Sequence, residues 1–418
     1  MLLERLAEAR QQTDRLFKLV RPDSLYERPI PERHRIIFYL GHLEAFDWNL
    51  LQSRLPNTKR FDAGLDQLFA FGIDPVDGGL PSDRPQDWPV ESQVNNYRDR
   101  IRGALDTALA HTDFAHWGGE EPPSVILSVA IEHRMMHAET LAYMLHQLPV
   151  DQKISDGQVE LPQFGAPAHG MVQIPERSVT LGLRRDDPSA FGWDNEYEAH
   201  TVHVPAFMLD RYKVTNAQFL EFMLAGGYQE QSFWSADDWN WITQHGIAHP
   251  VFWKKNGEAW SYRRMFDEIP LPADWPVYVS HAEASAYARW AGKRLPTEAE
   301  WQRASCGTPQ NPGQEHGYFD FGRWDPFAVN AVPQSRSAFG VEGMLANGWE
   351  WTSSLFEPYP GFQPFPFYEG YSANFFDGKH YVMKGGSPRT DASMLRHSFR
   401  NWFQPHYQYV YAGFRCAR

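Results

Sequence analysis

Ala291-Gly292-Lys293-Arg294-Leu295-Pro296-Thr297-Glu298-Ala299-Glu300-Trp301 is the stretch that decides how the second half of this 418-residue chain reads. Thr297 followed three residues later by Glu300 is a capping box, in which the hydroxyl caps a first turn and the glutamate reaches back. A helix therefore continues over Thr297 to Ser305 from one expected at His281 to Ala291, and another is expected at Asn216 to Ala225. Outward from these, short alternating runs are broken by Gly, Pro, Asn and Asp. Met171-Val172-Gln173-Ile174-Pro175 and Val202-His203-Val204 read as strands. In Asn347-Gly348-Trp349-Glu350-Trp351-Thr352 the tryptophans alternate, as strand residues packing one face do.

Residues 1–150 follow another pattern. Leu3, Leu6, Ala9, Leu16 and Leu19-Val20 recur at helical spacing. Further helices are expected from Arg35 to about Leu55, from about Val90 to Thr112 with Val94, Tyr97, Ile101 and Leu105 as its stripe, and from Pro123 to Gln147. Pro75 to Pro89 reads as a long loop. Four helices with one long connection make a four-helix bundle. Residues 151–169, punctuated by Gly157, Pro162, Gly165 and Pro167, read as a linker, and 170–418 as a second domain. Two domains suit the length, and the fold class is α+β.

Composition excludes several classes. Hydrophobic residues at 42% and charged residues at 22% describe a folded chain rather than a disordered one. A net charge of −13 disfavours nucleic acid and anionic membrane as partners. No run approaches the roughly 18–20 apolar residues of a membrane span, and mean hydropathy is −0.53. Glu4 and Arg5 among the first apolar residues mark a helix, not a signal peptide. Cys306 and Cys416 are too few for a disulfide framework or a thiolate cage, which fits a cytoplasmic protein. No protein partner is evident.

Histidine placement carries the chemistry. His133 and His137 stand four apart and project from one helix face, on a stripe with Ile126, Ala130, Leu141 and Met144. With 17 His in the chain, roughly one such spacing arises by chance, so the pair alone is weak. His42 adds weight, because it lies among Leu40, Leu43 and Phe46, where an imidazole is costly without a partner. Three histidines from two helices can converge on one Fe(II) or Zn(II). Glu44 and Glu139 read as outer orienters or, more simply, as solvated helix charges.

The strings Phe207 to Phe219, Ala291 to Trp301, Asn347 to Thr352, Gly385-Gly386-Ser387 and Gly413-Phe414-Arg415-Cys416-Ala417, in that order, resemble the formylglycine-generating-enzyme superfamily over residues 170–418. That resemblance implies a C-type-lectin-like fold. Formylglycine chemistry needs two neighbouring cysteines near the C-terminus, and Cys306 and Cys416 are far apart, so that activity is not expected.

Joined to Gly41-His42-Leu43-Glu44-Ala45-Phe46 and His133-x-x-x-His137-x-Glu139 in a DinB-like bundle, the whole resembles the ergothioneine and ovothiol sulfoxide synthases. The resemblance implies a non-haem Fe(II) held by His42, His133 and His137. It implies a reaction that uses O2 to join a thiol, cysteine or γ-glutamylcysteine, to the imidazole of hercynine (N-trimethylhistidine), leaving a sulfoxide in ergothioneine biosynthesis. Tyr368, with Tyr371 beside it, matches the expected proton donor; loop packing explains both rings equally well. Trp402 and Phe403 match a cage for a trimethylammonium group, and Asn401 a contact to the amino-acid carboxylate. Arg396 and Arg400 are further substrate-binding candidates. Phe403 and Tyr407 stand where actinobacterial-type enzymes carry an acid and an arginine for the thiol, a departure that weighs against γ-glutamylcysteine. Histidine as the acceptor, a selenium donor, another thiol, or a non-catalytic small-molecule-binding protein are the alternatives.

Overall fold

The structure, a computed structural model, describes residues 1–70, 80–157, 165, 167–168, 170–187, 189–309 and 312–418. It divides into two compact units, Met1–Gln158 and Val159–Arg418. The first is helical and the second mixes short sheets with helices, so the chain is α+β.

In the first unit run α1 (Leu2–Lys18), α2 (Ile36–Leu51), the short α3 (Ala63–Leu68), α4 (Glu91–Ala110) and α5 (Pro123–Gln147). α1 packs on α5, and α2 on both α4 and α5. Apart from Phe46 and Asn49, every residue of α2 is buried. A helix apolar on all sides belongs inside, and Glu44 and Asp47 are carried in with it. α4 buries the stripe Val94, Tyr97, Ile101 and Leu105 and leaves its other face to solvent. α3 was not expected; six residues are too few to show a period, and its start is fixed by Asp62, whose carboxylate accepts from the Leu65 N–H at 3.0 Å.

Two expected irregular segments resolve differently. Of the Pro75–Pro89 loop, residues 75–79 lie outside the described residues, and residues 80–89 hold only a 3-10 turn at Pro85–Asp87. Of the 151–169 linker, residues 158–164, 166 and 169 lie outside them. Residues 151–156 are no free linker. The Ile154 N–H donates to the Leu19 carbonyl at 2.8 Å, Lys153 is buried, and Arg15 donates to Asp156 at 2.6 Å. The chain leaving α5 is thus tied to the end of α1.

The second unit contains β1 (Met171–Ile174), β2 (Arg177–Leu181), β3 (His200–Val204), β4 (Phe207–Asp210), β5 (Trp253–Asn256), β6 (Ala259–Arg263), β7 (Glu268–Pro270), β8 (Gly348–Leu355), β9 (Tyr381–Gly386), β10 (Asn401–Phe403) and β11 (Ala412–Gly413). Its helices are α6 (Asn216–Leu224), α7 (Ala236–His245), α8 (His281–Trp290) and α9 (Glu298–Ala304). The main sheet has the order β10-β9-β8-β11, antiparallel except where β11 runs parallel to β8. The Thr297 capping box forms as expected: the Thr297 hydroxyl accepts from the Glu300 N–H at 3.1 Å, and Glu300 accepts from the Thr297 N–H at 2.8 Å. Ile174, Val204, Phe207, Leu209, Trp301 and Met344 pack as one apolar core.

β8 is buried on both faces. Trp349 and Trp351 fill one, and on the other Glu350 is fully enclosed. Its carboxylate accepts from Arg415 at 2.7 and 2.8 Å, from Lys213 at 2.9 Å and from the Trp301 indole at 3.2 Å. Burial raises the Glu350 pKa, but the Arg415 and Lys213 charges outweigh it and hold the group below the usual carboxylate range. Four of the five strings quoted above therefore meet at one carboxylate. The remaining string is explained by Gly385, which takes φ +86° against the Met344 carbonyl, where a side chain has no room.

Candidate metal centre and aromatic cluster

α2 supplies His42 and α5 supplies His133 and His137. One ring nitrogen of each lies within 4.8 Å of one from each of the others. All three are buried. Ring centroids are 5.5 Å apart for His42 and His133, 4.9 Å for His42 and His137, and 4.5 Å for His133 and His137. The surroundings are rings: Phe38 stacks on His42 at 4.8 Å, Phe46 on His133 at 3.4 Å, and Tyr39 sits 5.7 Å from His137.

Burial pushes the His42 pKa down to about 4, with the Phe69 carbonyl opposing, and holds His133 and His137 well below their usual value. Each ring is therefore neutral at pH 7 and carries a lone pair. His42 Nδ1 lies 2.7 Å from the Phe69 carbonyl. Among the described residues neither nitrogen of His137 has a hydrogen-bond partner, a costly condition for a buried polar group. Three converging neutral imidazoles with an unsatisfied ring among them fit a metal ion.

Glu44 is neither solvated nor an orienter of these rings. It is buried and accepts from Arg134 at 3.0 Å and Arg102 at 2.7 Å. Glu139 is buried as well.

In the second unit the structure gathers Tyr368, Tyr371 and Trp402. Tyr371 lies 5.5 Å from Tyr368 and 5.4 Å from Trp402, ring to ring. Trp402 stacks on Phe356 at 4.1 Å and meets Phe375 at 5.5 Å. Successive residues on a strand point to opposite faces, and β10 accordingly parts Trp402 from Phe403. Phe403 stacks instead on Tyr407 at 4.9 Å. The pair expected to build one cage thus belongs to two clusters. The side-chain oxygen of Asn401 accepts from the Trp402 N–H at 2.9 Å.

The arginines face inward. Arg396 pairs with Glu196 at 2.9 and 2.5 Å. Arg400 is buried and donates to Glu298 at 3.0 Å and to the carbonyls of Asn195 and Glu357 at 3.2 and 3.0 Å.

Sequence reading missed the 3-10 turn at Asp194–Glu196, which organises this cluster. Trp193 stacks on Tyr371 at 4.0 Å, and Ser372 donates to Asp194 and accepts from Asn195 at 2.9 Å. A local signal existed, since Glu196 accepts from the Trp193 N–H at 2.8 Å as a helix-start glutamate does. Burial pushes Asp194 up to about 6, against the Ser372 hydroxyl and the Asn195 and Phe365 backbone. Burial, then the Asp194 charge, push Tyr368 up to about 12, so its phenol keeps its proton at neutral pH.

No helix among the described residues is long and apolar enough to cross a membrane. Residues 158–418 match the sulfatase-modifying factor enzyme 1-like domain, and residues 5–141 match the DinB superfamily. The chain is 35% identical over 342 residues to the hercynine oxygenase of Mycobacterium tuberculosis, covering 78% of this chain and 77% of that one. To the hercynine oxygenase of Mycolicibacterium smegmatis it is 36% identical, covering 71% and 72%. With ergothioneine biosynthesis protein 1 of Neurospora crassa it shares 27% identity over 95% of this chain and 55% of that protein.

Proposed function

The chain belongs to the hercynine oxygenase family, and from that premise we propose that it is a non-haem iron(II), O2-dependent sulfoxide synthase. It joins a thiol to the imidazole of hercynine in ergothioneine biosynthesis. The observation that carries this reading is the buried trio of neutral imidazoles, His42, His133 and His137, a donor set suited to Fe(II). Iron bound there supplies one centre at which thiolate, imidazole and dioxygen are held together for oxidative coupling.

The remaining roles fall to the second unit. Tyr368, protonated at neutral pH, acts as general acid, and Tyr371 orients it from its stack on Trp193. Trp402 receives the trimethylammonium group on its ring, with Phe403 beside it on the strand, and Asn401 meets the substrate carboxylate. Arg396 and Arg400 serve binding by holding this segment through Glu196 and Glu298. Phe403 stacked on Tyr407 offers rings rather than charges, which favours cysteine over γ-glutamylcysteine. Residues 1–150 act as a DinB-like four-helix bundle and 170–418 as a C-type-lectin-like domain, in a cytoplasmic protein whose partners are small molecules.

The test is anaerobic purification with Fe(II), then mass spectrometry of products from hercynine or histidine with cysteine, γ-glutamylcysteine and a selenol. A hercynine–cysteine sulfoxide is expected. An iron-loaded protein that couples no such pair would overturn the reading.

A further inference from the structure

Glycine inside a helix is unfavourable, because its backbone loses the most freedom on folding. Gly41 nevertheless sits in the interior of α2, immediately before His42. A Cβ placed on it would lie 2.5 Å from three carbons of the Phe69 ring, closer than packed atoms approach. Phe69 is also the residue whose carbonyl oxygen lies 2.7 Å from His42 Nδ1. A carbonyl only accepts, so the proton resides on Nδ1 and the lone pair on Nε2.

Phe69 is held from its other sides. It ends α3, is fully buried, and lies 5.9 Å from the Tyr97 ring. The Tyr97 hydroxyl donates to Asp66 of α3 at 2.7 Å, so α4 anchors the short helix that carries Phe69. Phe69 thus stands between α2, which its ring and its carbonyl both meet, and an α3 that is tied to α4.

We propose that Gly41 and Phe69 are positioning residues for the metal. The bare Cα of Gly41 admits the Phe69 ring against α2, which sets the Phe69 carbonyl on Nδ1 and commits Nε2 of His42 as its ligand atom. This deepens the metal reading of the same site and rests on it. Among the described residues His137 has no such hydrogen bond, whereas Phe69 supplies one to His42. Outer hydrogen bonds of this kind fix ring orientation and strengthen the ligand.

The experiment uses the full chain freed of metal, with Zn(II) and Co(II) as probes. Nitrogen NMR of labelled histidine should show His42 protonated on Nδ1 without metal and bound to Zn(II) through Nε2. Gly41→Ala should lower Co(II) affinity in calorimetry by about 10- to 100-fold and abolish the protected Nδ1–H signal. Gly41→Ala with Phe69→Ala removes the ring that the new methyl strikes and should recover part of that affinity. Ligation of Zn(II) through Nδ1 of His42 overturns the inference. So does parental Co(II) affinity in Gly41→Ala, or a double variant no better than the single one. Should Gly41→Ala fail to fold, the tautomer in the parent protein decides. A parent that takes up neither metal defeats the metal reading itself, and the metal-free tautomer still tests the Phe69 contact.

Discussion

Arg134 donates to Asp47 at 2.7 Å with neither side chain exposed, and the residue before it on α5 is His133. The same guanidinium reaches Glu44 at 3.0 Å and the Leu43 carbonyl at 3.0 Å. These three partners stand on α2 just beyond His42, with a longer 3.3 Å contact to the Thr13 hydroxyl of α1, so one cation links the two helices that bring the histidines together. Burial raises the Glu44 pKa, but Arg134 and Arg102 outweigh it and bring it down to about 2. Arg134→Leu takes the short-range partner from buried Asp47 and leaves Glu44 with Arg102; it should cost about 3–5 kcal/mol, read from the urea midpoint, and iron uptake should fall with it. A loss no larger than the ~1 kcal/mol of an exposed pair would mean that the network does not hold the two helices together.

Trp402 tests substrate choice. A trimethylammonium group on its ring should make hercynine bind more tightly than histidine by ~0.5–2 kcal/mol. Trp402→Ala should erase that difference, whereas Phe403→Ala, on the opposite strand face, should leave it largely intact. Equal affinities of the parent protein for the two molecules would rule the cage out.

Product partition tests the role proposed for Tyr368. Tyr368→Phe keeps the ring and removes the proton, so iron and substrate binding should persist while sulfoxide falls and sulfinic acid rises. Tyr371→Phe should shift the ratio less. Parental sulfoxide yield without sulfinate from Tyr368→Phe would reduce that residue to packing.

His281 sets an acid limit on the second unit. Its ring stacks on Tyr381 at 3.7 Å and its Nε2 lies 3.2 Å from the Thr352 carbonyl. Burial pushes its pKa from 6.5 down to about 4. The unfolded chain binds the proton first, so the contribution is complete above pH 6.5 and is lost as pH falls toward 4, by roughly 3 kcal/mol. His397, also pushed down to about 4 by burial, adds a parallel slope. Urea midpoints between pH 7 and 4 should fall accordingly, and His281→Phe should flatten its share. An unchanged slope in that variant would exclude His281 as the cause.

Local rules carried the sequence reading where one segment decides its own shape. α5 runs over Pro123–Gln147 as its apolar stripe predicts, and Thr297 caps α9 because its partner Glu300 is three residues away. The histidine trio was legible because two members share a helix face and the third sits in an apolar one. Long-range pairing was not. Arg396 and Arg400 read as free to meet a ligand, yet their carboxylates lie 200 and 102 residues away in sequence, at Glu196 and Glu298. Glu44 read as a solvated charge for the same reason, with Arg134 ninety positions further on. The separation of Trp402 from Phe403 needed only strand alternation, but a three-residue strand declares no period.

The carboxylate of Glu350 has a consequence for synthesis. Its bidentate partner is Arg415, sixty-five residues later, so burying β8 with its carboxylate fully paired must wait until residue 415 has been made. The helices that carry the three histidines lie wholly within the first unit, and domains made early fold early. The two histidine-bearing helices are therefore made while the second unit is still waiting for β11. A ribosome stalled short of Arg415 would hold a finished first unit on a second that protease can still cut.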